Sequence, residues 1–357
     1  MPGAPPIRIV GIETSCDETA IGIVENGQRL LSNAVASSLA LHGPYGGVIP
    51  EIAARAHVET IWHVMAQALE EAQLTPETLD AVAVTQGPGL PGALHIGLAF
   101  AKGLALSLDR PLIPVDHLAA HLYAGQMSWP ELAPPYIGLV VSGGHTLLCA
   151  VHADCRFELL GETRDDAVGE AFDKVARLLG LGYPGGPVID RLSEEGRADA
   201  IPLPRSTARS PFDFSFSGLK TAVAHYVQKL APGSRLQAPG NGLTPHTSSL
   251  TPQETADVAA SFQEAAVDIL ISKTVKACHR AGLTTIVVGG GVASNRRLRA
   301  RFGEEAAQKK LHVVFPPPEL CVDNGAMVAG LAYPLLRQGR VAPLTLASDP
   351  NLCLAAS

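Results

Sequence analysis

His117 and His121 stand four residues apart in DHLAAHLYAG, so on a helix both imidazoles leave one face with Cβ atoms about 6 Å apart, close enough to share an ion. Alone, H-x-x-x-H reads equally well as two packing or capping histidines, and two further donors would complete a site. A zincin needs glutamate directly after the first histidine to activate water; Leu118 holds that position, so the pair lacks a protease base. Near the other end, CVDNGAM sets Asp323 ahead of a small-residue helix start, where its residue type predicts an N-cap. The turn 13–19, ETSCDET, is the part of the opening hairpin with exposed polar atoms.

Glycine turns follow strands at 143–144, 185–186 and 289–291, and each can bring backbone N–H groups to phosphate oxygens without interference from a Cβ. Three such turns favour a nucleotide over a bare metal. None matches G-x-x-x-x-G-K-[ST] or heads a βαβ unit with G-x-G-x-x-G, which excludes P-loop and dinucleotide readings. Asp173 in GEAFDK and Asp190 in YPGGPVID flank a glycine turn and could accept ribose hydroxyls, act as N-caps or be surface charges. NRRLRARF gathers Arg296, Arg297, Arg299 and Arg301, a candidate phosphate-backbone patch weighed against an ordinary solvated helix face.

The elements that must position these residues alternate between strand and helix. Apolar runs predict strands at 7–12 and 20–24 around the acidic turn, a long amphipathic helix over 48–73, and a strand at 80–85. The loop QGPGLPG then leads to a buried helix over 93–108 and a strand at 112–115. A helix over 116–125 follows, with Asp116 as N-cap and Gly125 just past its end. Residues 136–151 read strand, SGGHT turn, strand, repeating the opening design. Residues 231–252 are nearly without large apolar side chains and read as a flexible insertion. A helix over 255–280, a strand at 284–288, the turn GGGVAS, a basic helix from Asn295, a strand at 312–315 and a helix starting near Asp323 complete an α/β pattern.

A length of 357 residues is about 2.4 typical domains of ~150 residues, so two domains are expected. Charged residues are 17% and apolar residues 46%, which excludes disorder for most of the chain; 35 glycines and 28 prolines without a fixed period exclude collagen. The net charge of −7 opposes general attraction to polyphosphate, so a nucleic-acid role needs a local basic patch or a basic partner. Six cysteines without C-x-x-C read as reduced thiols. With no signal peptide and no uncharged run of about 18 residues, the expectation is a soluble, cytoplasmic protein.

Taken together, GIETSCDET at 11–19, H-x-x-x-H at 117–121, VSGGHT at 141–146 and GEAFDKVARLLGLGYPGGP at 169–187 closely resemble the TsaD/Gcp family. FSFSGLKT at 214–221, GGGVASNRRLR at 289–299 and CVDNGAM at 321–327 extend the resemblance, with only 231–252 outside it. The resemblance implies an actin-like ATPase (ASKHA) fold of two RNase H-like lobes with a nucleotide cleft between them. It places the N-terminal lobe at 1–118, completed by 326–357, and the C-terminal lobe at 119–325. The implied activity is transfer of threonylcarbamoyl from threonylcarbamoyl-adenylate to N6 of adenosine 37 in tRNAs reading ANN codons. A small-molecule kinase or ATPase of the same fold is the alternative.

Carried over residue by residue, the family metal site falls on His117, His121 and Asp323, replacing the cap reading of Asp323. Two histidines and a carboxylate suit Fe(II), with zinc chemically feasible. The adenylate positions fall on Val140, Val141, Ser142, Gly143, Gly144, Asp173, Gly186, Asp190 and Asn295. In the mechanism this implies, Glu13, Asp17 and Glu18 orient the amine or accept its proton, and Arg296–Arg301 help hold tRNA. Expected partners are a shorter inactive paralogue (TsaB) as heterodimer partner, a P-loop ATPase (TsaE) and a TsaC/Sua5-type enzyme supplying the adenylate. The older glycoprotease label finds neither H-E-x-x-H nor an evident Ser-His-Asp set, and a non-catalytic scaffold does not explain retention of all three ligands.

Overall fold

The computed structural model describes residues 5–153, 156–205, 210–230 and 250–354. They form two compact units, Met1–Pro134 with Val151–Glu158 and Pro316–Ser357, and Pro135–Ala150 with Leu159–Phe315. The first contains β1 (Arg8–Glu13), β2 (Glu18–Glu25), β3 (Arg29–Ser37), α1 (Leu39–His42), α2 (Pro50–Ala72) and β4 (Ala81–Gly87). It continues through α3 (Pro91–Leu108), β5 (Leu112–Asp116) and α4 (His117–Ser128), and regains the chain at α10 (Pro318–Cys321) and α11 (Gly325–Arg337). Its sheet runs β3-β2-β1-β4-β5, with β1–β2 and β2–β3 antiparallel and β4 parallel to both neighbours.

The core sits where β-branched residues of the sheet meet α2 and α3: Val10, Ile12, Ile21, Ile23, Val82 and Val84 cluster with Ile61, Val64, Met65 and Leu98. Each such side chain contributes roughly 1.5–3 kcal/mol on burial. Helix α11 lies directly on the β1–β2 hairpin. A Cβ on Gly11 would stand 2.3 Å from the Ala329 nitrogen and the Gly325 oxygen, and one on Gly22 would stand 2.3 Å from the Ala326 nitrogen. The first glycine of GIETS is therefore a packing glycine that lets the far end of the chain reach the acidic turn.

The second unit is built on a sheet ordered β10-β9-β6-β7-β8, from β6 (Tyr136–Val141), β7 (Thr146–Val151), β8 (Phe157–Glu162), β9 (Thr285–Gly289) and β10 (His312–Val314). Its helices are α5 (Val168–Leu178), α6 (Gly185–Leu192), α7 (Ser217–Leu230), α8 (Pro252–Ala281) and α9 (Arg296–Lys309). Helix α8 is buried almost all round, opens on a capping box between Thr251 and Glu254, and packs Phe262 edge-on to Phe172 at 5.0 Å. The α/β expectation holds in both units.

Several readings of the sequence change. Strand β3 was not anticipated. Its burial alternates imperfectly because Leu30 and Val35 stay exposed. Gly125 does not end its helix; it is buried inside α4, its carbonyl accepts from the Trp129 N–H, and tertiary burial outweighs its weak helix propensity. The first unit's opening run extends to Pro134 rather than 118, since α4 is one continuous helix, and its returning segment starts at Pro316 rather than 326. Of the 231–252 insertion, 231–249 lie outside the described residues, and Thr251 and Pro252 belong to the start of α8. Helix α3 is the one described helix long and apolar enough to cross a membrane; its Leu94, Leu98, Ala101 and Ala105 are buried in the first unit. Cys16, Cys278 and Cys353 are free thiols.

Candidate functional site

In the first unit, α4 begins at the end of β5 because the Asp116 carboxylate accepts the N–H groups of Leu118 and Ala119 at 2.8 and 2.9 Å. That cap sets His117 and His121 on one face, rings 4.6 Å apart. Asp323 arrives just ahead of α11, whose cap is the neighbouring Asn324, with Oδ1 accepting the Met327 N–H at 2.8 Å. The cap reading of Asp323 is thereby corrected by one residue, and its carboxylate is left to face the histidines. Asp323 Oδ1 lies 3.1 Å from His121 Nε2 and 3.6 Å from His117 Nε2, and one ligand atom from each of the three residues falls within 4.8 Å of the others.

Among the described residues, neither ring nitrogen of fully buried His121 has a hydrogen-bond partner. Leaving such groups unpaired costs about 1–3 kcal/mol each. An imidazole so placed, beside a second imidazole and a carboxylate, offers a donor set that could hold a divalent transition-metal ion.

Glu13 stands behind His117. It is fully buried and accepts the Ser15 N–H at 2.5 Å and the Thr85 hydroxyl at 2.5 Å, with His117 Nδ1 at 3.0 Å. Burial pushes the Glu13 carboxyl up, but His117 outweighs it and holds Glu13 below its ordinary value. Burial disfavours the His117 cation, yet the Glu13 and Asp323 carboxylates raise its pKa to about 9. Nδ1–H pointing at Glu13 leaves Nε2 as the ligating atom once its proton is lost. Glu13 is thus placed to orient a ligand, not to meet an exposed amine. Burial together with Asp323 and Asp17 pushes the Glu18 carboxyl up to about 9.

In the second unit the hairpin tip between β6 and β7 is closed by Ser142 N–H to the His145 carbonyl and His145 N–H to Ser142 Oγ. Val140 and Val141 are buried in β6, while Gly143, Gly144 and Gly186 have open space where a Cβ would stand. Gly290, in the left-handed region, packs against the Val141 carbonyl, which brings the GGG turn to the base of this tip. Asp173 accepts the Gly185 N–H at 2.7 Å and also holds Gly186, tying down the start of α6; burial raises its pKa.

Asp190 is paired with Arg296 at 2.9 Å. Asn295 caps α9 through the Leu298 N–H and donates to Gln263 at 2.7 Å. A cavity of about 420 Å³, lined by Asp190, Glu194, Gln263, Glu264, Arg296 and Arg297 among others, adjoins them.

The arginine patch does not survive as a free basic surface. Arg296 also meets Glu194, Arg297 meets Glu264 and Glu304, and Arg301 meets Glu264, Asp268 and Glu304. Arg299 donates to the Ala293 carbonyl and stacks over Phe315 at 4.8 Å. Two of these carboxylates, Glu264 and Asp268, lie on α8, 33–37 residues away, beyond the reach of local charge patterning. Sequence reasoning also missed two buried histidines, His42 and His57, that hold the acidic turn. His57 carried a signal, since it falls on the apolar stripe Ala53, Ile61, Val64, Met65 and Ala68 of α2; His42 carried none.

Comparison with known proteins matches residues 29–330 to TsaD, tRNA N6-adenosine threonylcarbamoyltransferase. Curated relatives of that name include one from Clostridium novyi, 47% identical over 352 residues and covering 98% of both chains. Another, from Symbiobacterium thermophilum, is 48% identical over 354 residues and covers 99% of both. Among solved structures, full-length HypF in its phosphate- and nucleotide-bound form superposes with TM-score 0.59 at 15% identity, over 94% of this chain and 56% of that one. HypF from T. kodakarensis gives 0.58 at 16% identity, over 97% and 50%. The fold is of the actin-like ATPase (ASKHA) type. The chain belongs to the TsaD family of tRNA N6-adenosine threonylcarbamoyltransferases.

Proposed function

We propose that this chain moves the threonylcarbamoyl group of threonylcarbamoyl-adenylate to N6 of adenosine 37 in tRNAs reading ANN codons, with His117, His121 and Asp323 holding one divalent cation. The observation that carries the reading is end-to-end kinship with relatives named for this transfer, at 47–48% identity. It favours transfer over the kinase alternative. The two-histidine, one-carboxylate donor set favours Fe(II), with zinc the competitor. A bound cation would supply Lewis-acid polarisation of carbamoyl or phosphate oxygens.

The residues of the chain do the rest. Glu13 fixes the tautomer of His117. The adenine amine is a weak nucleophile and needs close placement more than deprotonation. Asp17 and Glu18, on the turn beside Asp323, orient the amine or take its proton. Val140–Gly144, Asp173, Gly186, Asp190 and Asn295 bind the adenylate, the open Gly143, Gly144 and Gly186 admitting phosphate oxygens.

In the same reading TsaB is the heterodimer partner, TsaE and a TsaC/Sua5-type enzyme complete the system, and the setting is the cytoplasm. Leu41, Tyr45, Val58 and Trp62, in and near α1 and α2, are 54–69% exposed, apolar surface available to a partner. Transfer of labelled threonine to an ANN-reading tRNA transcript, with partners and the adenylate-forming enzyme present, tests the proposal. Wild type is expected to make modified adenosine and His117→Ala/His121→Ala to lose it; no product from wild type with competent partners would reject it.

A further inference from the structure

We infer that His42 and His57 are positioning residues for the transfer, together fixing the backbone of the acidic turn through two successive carbonyls, Cys16 and Asp17. The turn's chemical role rests on the transferase reading above; the geometry does not. His57, fully buried on α2, has Nε2 3.0 Å from the Cys16 carbonyl oxygen. A carbonyl only accepts, so Nε2 carries the proton. Nδ1 is then a lone pair, and the Thr19 hydroxyl, 2.7 Å away, donates to it. Burial lowers the His57 pKa, which keeps this neutral form.

His42 is also fully buried and uses the same tautomer. The Ile49 N–H donates to its Nδ1 at 3.2 Å, so Nε2–H donates to Ser38 Oγ at 3.1 Å. The Ser38 hydroxyl in turn donates to the Asp17 carbonyl at 2.8 Å, and the Ser38 N–H reaches the same oxygen at 2.9 Å. Both rings are thus occupied at both nitrogens, and neither is a member of the His117–His121–Asp323 set.

Burying two imidazoles has a desolvation cost that apolar side chains would avoid, and hydrogen bonds recover it only when every partner is in place. The partners here converge on the two peptide groups that aim the Asp17 and Glu18 side chains. Misplacing a reacting group by about 1 Å costs up to ~100-fold in rate, so the clamps act on rate more than on substrate affinity.

The test uses the full chain with its partners and compares wild type with His57→Phe, His57→Gln and His42→Phe. Transfer kinetics, ion binding by the purified chain and hydrogen–deuterium exchange over 13–19 are measured on each. The phenylalanine variants should fold and bind the ion like wild type, exchange the turn at least tenfold faster, and lower kcat at least tenfold with KM for tRNA within twofold. His57→Gln, whose amide can donate to Cys16 and accept from Thr19, should recover most of both losses.

The inference is overturned by unchanged exchange in the folded phenylalanine variants, by faster exchange with unchanged kcat, or by His57→Gln folding yet failing as badly as His57→Phe. If one phenylalanine variant does not fold, the other carries the same test. A wild-type chain inactive beside competent partners would defeat the transferase reading alone, and the exchange data would still decide whether the clamps exist.

Discussion

The two units treat their polar site residues in opposite ways. In the first, the two buried ring nitrogens of His121 have no hydrogen-bond partner among the described residues and Nε2 meets the Asp323 carboxylate at 3.1 Å, while Glu13, Thr85 and Asp116 direct their hydrogen bonds to His117 and the start of its helix. In the second, Asp173 anchors α6, Asp190 neutralises Arg296, and Asn295 caps α9. Unsatisfied buried donors mark a place built for something absent from the chain itself, whereas satisfied ones have a structural function whether or not a ligand also meets them. Here the open backbone at Gly143, Gly144 and Gly186, more than the acids, is what invites an anion.

That contrast can be broken or sharpened by substitution. Asp17→Asn should lower transfer by about 10²–10⁴-fold, the range of a lost acid–base group, with ion binding retained; full activity would remove the turn from the chemistry. Glu13→Gln should weaken ion binding by roughly 10–100-fold, as expected for a partner that orients a ligating histidine, measured by competition with a chelating dye. An unchanged affinity would mean Glu13 serves only packing.

Asp173→Ala should lower unfolding free energy by about 1 kcal/mol through loss of its helix-start bonds, read as a shift of the urea midpoint. An unchanged urea midpoint would mean that these bonds carry no structural weight and would erase the difference between the units.

Smaller effects follow from the ion pairs. Asp257, held by Arg197 through hydrogen bonds and charge, has its pKa lowered from 3.8 to about 2. A depressed carboxylate contributes stability that is complete above its unfolded pKa and fades as pH falls through the folded value. Arg197→Ala should therefore lower stability at neutral pH and flatten its loss between pH 4 and 2, so that wild type and variant converge at low pH. Smallest of all, replacing Arg296, Arg297 and Arg301 together by alanine should alter the slope of log Kd for tRNA against log salt by less than about 1, because their guanidinium groups already face carboxylates.

Much of this was legible in residue order. Helical spacing put His117 and His121 on one face, Asp116 announced the cap that starts their helix, and a polar turn and a glycine turn, each after an apolar run, located the two hairpin tips. What stayed hidden depends on chain segments that meet only after folding. Asp323 reaches the histidines because Gly11 and Gly22 let α11 lie flat on the hairpin, and the neighbouring Asn324 takes the cap that composition had given to Asp323. Glu13 looked like an exposed acid because nothing local foretells His117, 104 residues on. The arginines of α9 looked free because Glu264 and Asp268 belong to another helix.

Among the described residues, the first unit alone brings together three side chains that could hold a cation. The direct measurement is titration of the purified chain with Co(II) under reducing conditions, followed by ligand-field absorption, for wild type, His121→Ala and Asp190→Ala. One equivalent bound by wild type and by Asp190→Ala, with His121→Ala weakened by at least about 100-fold, is the predicted result. No saturable binding, or binding indifferent to His121, would contradict it.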